Sequence, residues 1–201
     1  APVGTRLAGK SSFDETHPLA LGSGGAAYSA TLPHFISQSD VIFGVGCSFS
    51  ETAFGYQMPK DKTYIHSTVD PSELGKALPC AAPLVGDAAL VLRAVIDACK
   101  GLLKGRAHNR AAVEKEIRDV EAAWKKVWLP KLTSKDAPIS PYRVLWDLQN
   151  TVDVANTIIT HDAGSPRDQL TPFWKSKSPL SYIGWGKSTQ LGYGLGLAMG
   201  A

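Results

Sequence analysis

Cysteine is scarce and scattered in this chain of 201 residues: Cys47, Cys80 and Cys99 form no CxxC pair. That excludes a disulfide framework, and we expect reduced, partly buried thiols of a cytosolic protein. His17, His34, His66, His108 and His161 have no metal-site spacing with one another or with the cysteines. No metal site is therefore expected within the chain. No apolar run approaches the roughly 20 residues that a membrane helix needs, so no membrane role is expected. The net charge of +3 is spread along the chain, without a basic run or aromatic–basic alternation, so nucleic acid is not an expected partner. There is no signal-peptide pattern after Ala1 and no internal repeat. The chain stops at Ala201 inside a Gly- and Ala-rich apolar segment, where a helix would lack part of its packing partner. We expect a truncated chain.

What is present is 44% hydrophobic residues in an alternating pattern of short apolar runs and helical stripes, enough for one large or two small domains. Val41–Gly46 is a continuous apolar run ending in glycines, as in a buried parallel strand feeding a tight turn, and a helix with Leu32, Phe35 and Ile36 precedes it. Thr63–Asp70 is β-rich and stopped by Pro71, and Pro83–Asp87 is a third short strand. Asp87 is placed to cap a helix from Ala88 to about Lys104, with a stripe of Leu90, Leu92, Val95, Ile96 and Cys99. Strands separated by helices predict a doubly wound parallel α/β sheet.

From residue 106 the composition becomes charged and helical as far as Trp128, with Val113, Ile117, Val120 and Trp124 on one face. A second α/β unit opens at Ser140-Pro141, a cap followed by proline at the first helical position, and the helix carries Val144, Leu145, Leu148 and Val152. A strand over 157–164 runs into an Asp-Ala-Gly turn. Residues 165–179 read as a loop holding Phe173 and Trp174, either packed or lining a substrate channel. A short strand over 181–185 then leads to a glycine-rich helix.

Several stretches in order resemble the large-subunit acetolactate synthase family, which depends on thiamine diphosphate. Pro2-Val3-Gly4-Thr5 with Leu7-Ala8-Gly9-Lys10 is similar to "PVxTTLMGKG", His17–Gly22 to "HPLSLG" and Ser39–Gly46 to "ADLLIAVG". Asp70–Lys76 is similar to "DPAEIGK", Val85-Gly86-Asp87 to "VGD", and Gly192–Ala201 to "GFGLPAAIGA". The resemblance implies a Rossmann-like central domain over 1–105, a helical linker over 106–137, and the truncated start of a diphosphate-binding domain over 138–201. It implies a 2-oxo acid substrate, a homodimeric or homotetrameric cytoplasmic parent enzyme, and thiamine diphosphate with Mg²⁺ as its cofactors. Oxalyl-CoA decarboxylase, carboligase and pyruvate oxidase types stay open beside acetolactate synthase.

The resemblance also assigns residues. The family's activating glutamate falls outside the chain, as does its metal-binding "GDG…N" segment, so no catalytic residue or metal ligand is expected here and the chain alone should be inactive. Cofactor contacts fall on Gly164, Ser165, Thr189 and Leu191. Leu191 stands at the apolar wedge under the bent cofactor, with ordinary helix core as its other reading. The family's "GQHQ" is here Gly164-Ser165-Pro166-Arg167, where Arg167 either serves a phosphate or is a solvated loop residue. Gly44, Gly46, Asp70 and Asp87 are candidates for FAD or ADP, with a plain structural turn as the alternative. Against FAD, Ser48 holds the flavin-contacting arginine position and Thr68 replaces the first aspartate of "HIDID". A non-catalytic nucleotide-binding module and a purely structural fragment are the readings from other classes.

Overall fold

The computed structural model describes residues 1–53, 55–104, 109–184 and 190–201. Every strand pair among them is parallel, in three small sheets: β1 (Val3–Arg6) with β2 (Ala20–Gly24); β3 (Val41–Val45), β4 (Thr63–Thr68) and β5 (Ala82–Val85); and β6 (Ile159–Thr160) with β7 (Tyr182–Ile183). Six α-helices are described: α1 (Thr31–Gln38), α2 (Ala88–Leu102), α3 (Arg110–Leu132), α4 (Pro141–Thr151), α5 (Ser165–Phe173) and α6 (Gly194–Gly200). The expected parallel α/β class is therefore what forms. Two compact units contain these elements, one of Ala1–Phe35, Ala53–Tyr56 and Ala111–Ala201, the other of Ile36–Thr52 and Gln57–Arg110.

In the second of these units the β3–β4–β5 register runs from Val41 opposite Thr63 to Thr68 opposite Val85. Phe49, Tyr64 and Leu78 form its buried core, with Ile42, Cys47, Met58 and Ala77 against them. Asp87 caps α2 as expected, accepting from the amides of Ala89 at 3.0 Å and Leu90 at 3.1 Å. The predicted stripe on that helix is corrected. Its half-buried line is Ala88, Val91, Val95 and Cys99, whereas Leu90, Leu92 and Ile96 are exposed. Apolar residues on α2 outnumber those that a three-stranded sheet of short strands can cover, and periodicity alone does not say which line wins.

The other unit has a core of Leu7, Val154, Leu170, Trp174 and Tyr182, with Leu145, Val152 and Ile159 packed against it. α3 turns Ile117 inward, with Val113, Val120 and Trp124 half-buried on the predicted face. The helix continues past Trp128 to Leu132, with Pro130 in its last turn forgoing one backbone bond shortly before the helix ends. Residues 106–108 of the predicted helix lie outside the described ones. Ser140 stands at the N-cap of α4 with Pro141 following, yet its side chain makes no capping bond.

The loop predicted over 165–179 is corrected: residues 165–173 form α5. The helix holds two prolines within nine residues. Pro166 sits at the start of the helix, where its missing N–H costs nothing, and Pro172 lies in the last turn. β6 is shorter than expected, and Trp185 of the predicted last strand lies outside the described residues.

Candidate functional site

The first candidate lies at the carboxyl ends of β3, β4 and β5, where parallel sheets hold ligands. A crevice of about 250 Å³ there is lined by Gly46, Cys47, Ser48, Ser67, Thr68 and Glu73, among others. Gly46 has φ +61° and open space where a Cβ would point. Its N–H, however, donates to Ser67 O at 2.9 Å, and the Gly86 N–H donates to Thr68 O at 3.0 Å. Neither amide is left for a phosphate. Ser67 is fully buried, and its Oγ has no partner among the described residues.

The other nucleotide candidates are occupied by the fold itself. A Cβ on Gly44 would stand 2.2 Å from the Phe49 ring, so close packing accounts for that glycine. Asp87 caps α2. Asp70 accepts from Ser72 N at 2.9 Å at the start of the 3-10 turn Pro71–Glu73, and these bonds hold its carboxyl below the usual range. Gly44, Asp70 and Asp87 do not line the crevice. Its lining includes no cation and one carboxylate, Glu73, a charge balance that disfavours a diphosphate. FAD and ADP therefore gain no support here.

The second candidate is the turn that joins β6 to α5. His161 closes β6, with its ring 4.9 Å from that of Tyr182. Burial pushes its imidazole below the usual value, against the bond to the Asp162 carbonyl. A Cβ on Gly184 would fall 2.2 Å from His161 Nε2, so that ring position requires glycine opposite. The Asp162 carboxylate accepts from the amides of Gly194 at 3.1 Å and Tyr193 at 2.8 Å, and these bonds hold it below the usual range. Thr160 Oγ1 donates to Gly194 O at 2.9 Å. The turn at 162–165 and the segment that follows Leu191 are thereby brought together.

Gly164 takes φ +78°, with nothing within 4 Å of a Cβ position, and α5 starts at Ser165. With glycine as the cap, the N-cap residue gives the first turn of α5 no side-chain bond, and a helix start is a favourable place for an anion. Leu191 is 72% exposed and precedes α6 rather than lying within it. Thr189 lies outside the described residues. The solvated-loop reading of Arg167 is corrected: it is a helix residue, 2% exposed, with Nε donating to Asp168 Oδ1 at 2.7 Å.

Phe173 and Trp174 are both packed against other side chains. Phe173 stacks on Trp124 at 5.1 Å and meets Trp128 and Tyr142, while Trp174 is 2% exposed. His66 holds the Cys47 carbonyl at 2.5 Å, and His17 Nδ1 accepts from the Leu19 amide at 3.1 Å. His34 pairs with Glu116 at 2.7 Å, and His108 lies outside the described residues. Among the described residues no three potential ligands cluster as a metal would require. No helix among them is long and apolar enough to cross a membrane.

Parallel sheets flanked by helices define an α/β protein. Residues 1–95 match the thiamine pyrophosphate enzyme central domain. Along its whole length the chain is 36% identical to a probable acetolactate synthase large subunit of Methanocaldococcus jannaschii, covering 34% of that protein. It is 32% identical to the corresponding protein of Methanococcus aeolicus, covering 35% of it. Acetolactate synthase isozyme 3 large subunit of Escherichia coli is 28% identical over 99% of the chain and 34% of its own length. Residues 1–95 are thus similar to a thiamine pyrophosphate enzyme central domain, and the whole chain is similar to acetolactate synthase large subunits. It spans about a third of the length of the curated relatives it matches.

Proposed function

We propose that the chain is the middle portion of a thiamine-diphosphate-dependent enzyme that decarboxylates a 2-oxo acid and passes the remaining carbon unit to an acceptor, as the name acetolactate synthase implies. The observation that carries this is the full-length similarity to acetolactate synthase large subunits on both sides of the α3 helix. In this reading residues 1–105 are the central domain, 106–137 a helical linker and 138–201 the start of the diphosphate-binding domain. The parent is a cytoplasmic homodimer or homotetramer.

Bound thiamine diphosphate supplies a thiazolium carbon acidic enough to lose a proton and add to a 2-oxo acid carbonyl. This chain's part is to hold the group. The open turn at Gly164, with the start of α5 at Ser165, would hold the diphosphate, and the accompanying Mg²⁺ would take its protein ligands from outside this chain. Leu191, exposed beside that turn, offers apolar support, and Thr189 lies in the segment that would face the aminopyrimidine. Asp162 keeps the start of α6 against the turn.

The purified chain, given pyruvate, thiamine diphosphate and Mg²⁺, is expected to form no acetolactate, because the activating carboxylate and the metal-binding segment lie outside it. Acetolactate formation would overturn that. An antibody to the chain should detect, in the source cells, a polypeptide about three times its length, following the relatives' proportions. A band at the size of the chain itself would remove the basis for the enzyme reading.

A further inference from the structure

The Glu15 carboxylate is buried, 6% exposed, and gathers donors from three separate segments. Oε2 accepts from Lys10 Nζ at 2.5 Å and from the Ser176 amide at 2.9 Å, and Oε1 accepts from Ser23 Oγ at 2.7 Å. The Glu15 amide in turn donates to Ser176 O at 2.9 Å. Residues 15 and 176 thus clasp each other by two bonds in opposite directions. Ser23 lies on β2 and also bonds Thr5 Oγ1 of β1 at 2.7 Å, while Ser176 lies between α5 and β7.

The exposed pairs on α2 and α3, Lys100–Asp97 and Lys115–Asp119, are screened by water and contribute little. Glu15 differs because a buried carboxylate is tolerated only when its oxygens are fully engaged. Its cation is buried too: Lys10 is 4% exposed, with Nζ 5.2 Å from the centroid of the Tyr182 ring. The Tyr182 hydroxyl meets Thr171 Oγ1 at 3.2 Å, and Thr171 Oγ1 donates to the Arg167 carbonyl in the first turn of α5. Hydrogen bonds and one cation–π contact therefore link Glu15, through Lys10, Tyr182 and Thr171, to the helix that opens at Gly164. The neighbouring charges are engaged elsewhere, Lys175 with Glu121 and Arg167 with Asp168.

We propose that Glu15 is a clasp holding the α5–β7 segment in place, and so a positioning residue for the turn at Gly164 and Ser165. The positioning part rests on the reading above that this turn takes a diphosphate. Hydrogen exchange on the 201-residue chain, with no cofactor present, tests the clasp itself. In Glu15→Ala, amides of residues 165–183 should exchange about tenfold to a hundredfold faster, the loss expected for bonds to a buried charge, while β3 and β4 keep wild-type rates.

The double variant Lys10→Met/Glu15→Gln removes both charges but leaves an amide oxygen for Ser176 N, and it should recover most of the lost protection. Exchange in 165–183 within about twofold of wild type for Glu15→Ala would overturn the proposal. So would an equal rise in both compact units, or a double variant as exposed as the alanine. Should Glu15→Ala not fold, Ser23→Ala removes one donor. A several-fold rise confined to 165–183 would then support the clasp, and unchanged exchange would overturn it. Calorimetric titration of the wild-type chain with Mg²⁺ and thiamine diphosphate addresses the cofactor reading separately, so either can fail alone.

Discussion

At Gly44 the missing Cβ lets the Phe49 ring lie edge-on to both Tyr64 and His66, at 5.2 and 5.0 Å. Phe49 reaches that position from a left-handed backbone, φ +52°, which a bulky residue adopts only when its surroundings hold it there. Gly44→Ala would place a methyl inside the ring and should destabilise the second unit by about 1–3 kcal/mol, read from urea denaturation. Gly46 has no such neighbour, so its substitution is opposed by backbone conformation alone. The same GxG pair thus holds two glycines for two different reasons. Sequence separates neither from a phosphate-binding turn, because the ring that fills the space arrives from five residues downstream.

Capping decides much at the scale of elements. Asp87→Ala should cost about 1 kcal/mol through α2, measured by thermal or urea unfolding, since two first-turn amides lose their acceptor. Asp162 does the same for α6, and its carboxyl is held below its ordinary value of 3.8 by the amides of Gly194 and Tyr193. A carboxyl depressed in the folded state adds stability above its unfolded value and loses it as pH falls through the folded one. NMR signals of the Tyr193 and Gly194 amides should therefore stay constant above about pH 4 and move only in stronger acid, and Asp162→Asn should abolish that titration.

The Asp87 cap was legible because an aspartate directly before an apolar periodic run has one common meaning. The α5 helix was not, because Pro166 and Pro172 break the local pattern and the residues that stabilise it, Trp124, Trp128 and Tyr142, come from α3 and α4. The Glu15 cluster was equally hidden. Its partners stand at positions 10, 23 and 176, and nothing in that spacing marks a shared carboxylate.

For the whole molecule, the two compact units have separate cores, and the tryptophans are unevenly shared. All five fall within residues 111–201, and none in the unit of Ile36–Thr52 and Gln57–Arg110. Tryptophan fluorescence should therefore report one unit and far-ultraviolet dichroism both. Gly44→Ala should lower a transition seen by dichroism and leave the fluorescence midpoint unchanged; midpoints that shift together would mean that the units unfold as one.

Every ladder described is parallel, so no two paired strands are joined by a tight hairpin. Each pairing must wait for a long intervening segment to close, and the entropy of that closure is lost before any ladder bond is gained. Contacts of such high sequence separation make for slow refolding, with strand edges left open to other chains meanwhile. Produced by itself, the chain should therefore give better soluble yields at low temperature and low expression rate, where collapsed chains meet each other less often.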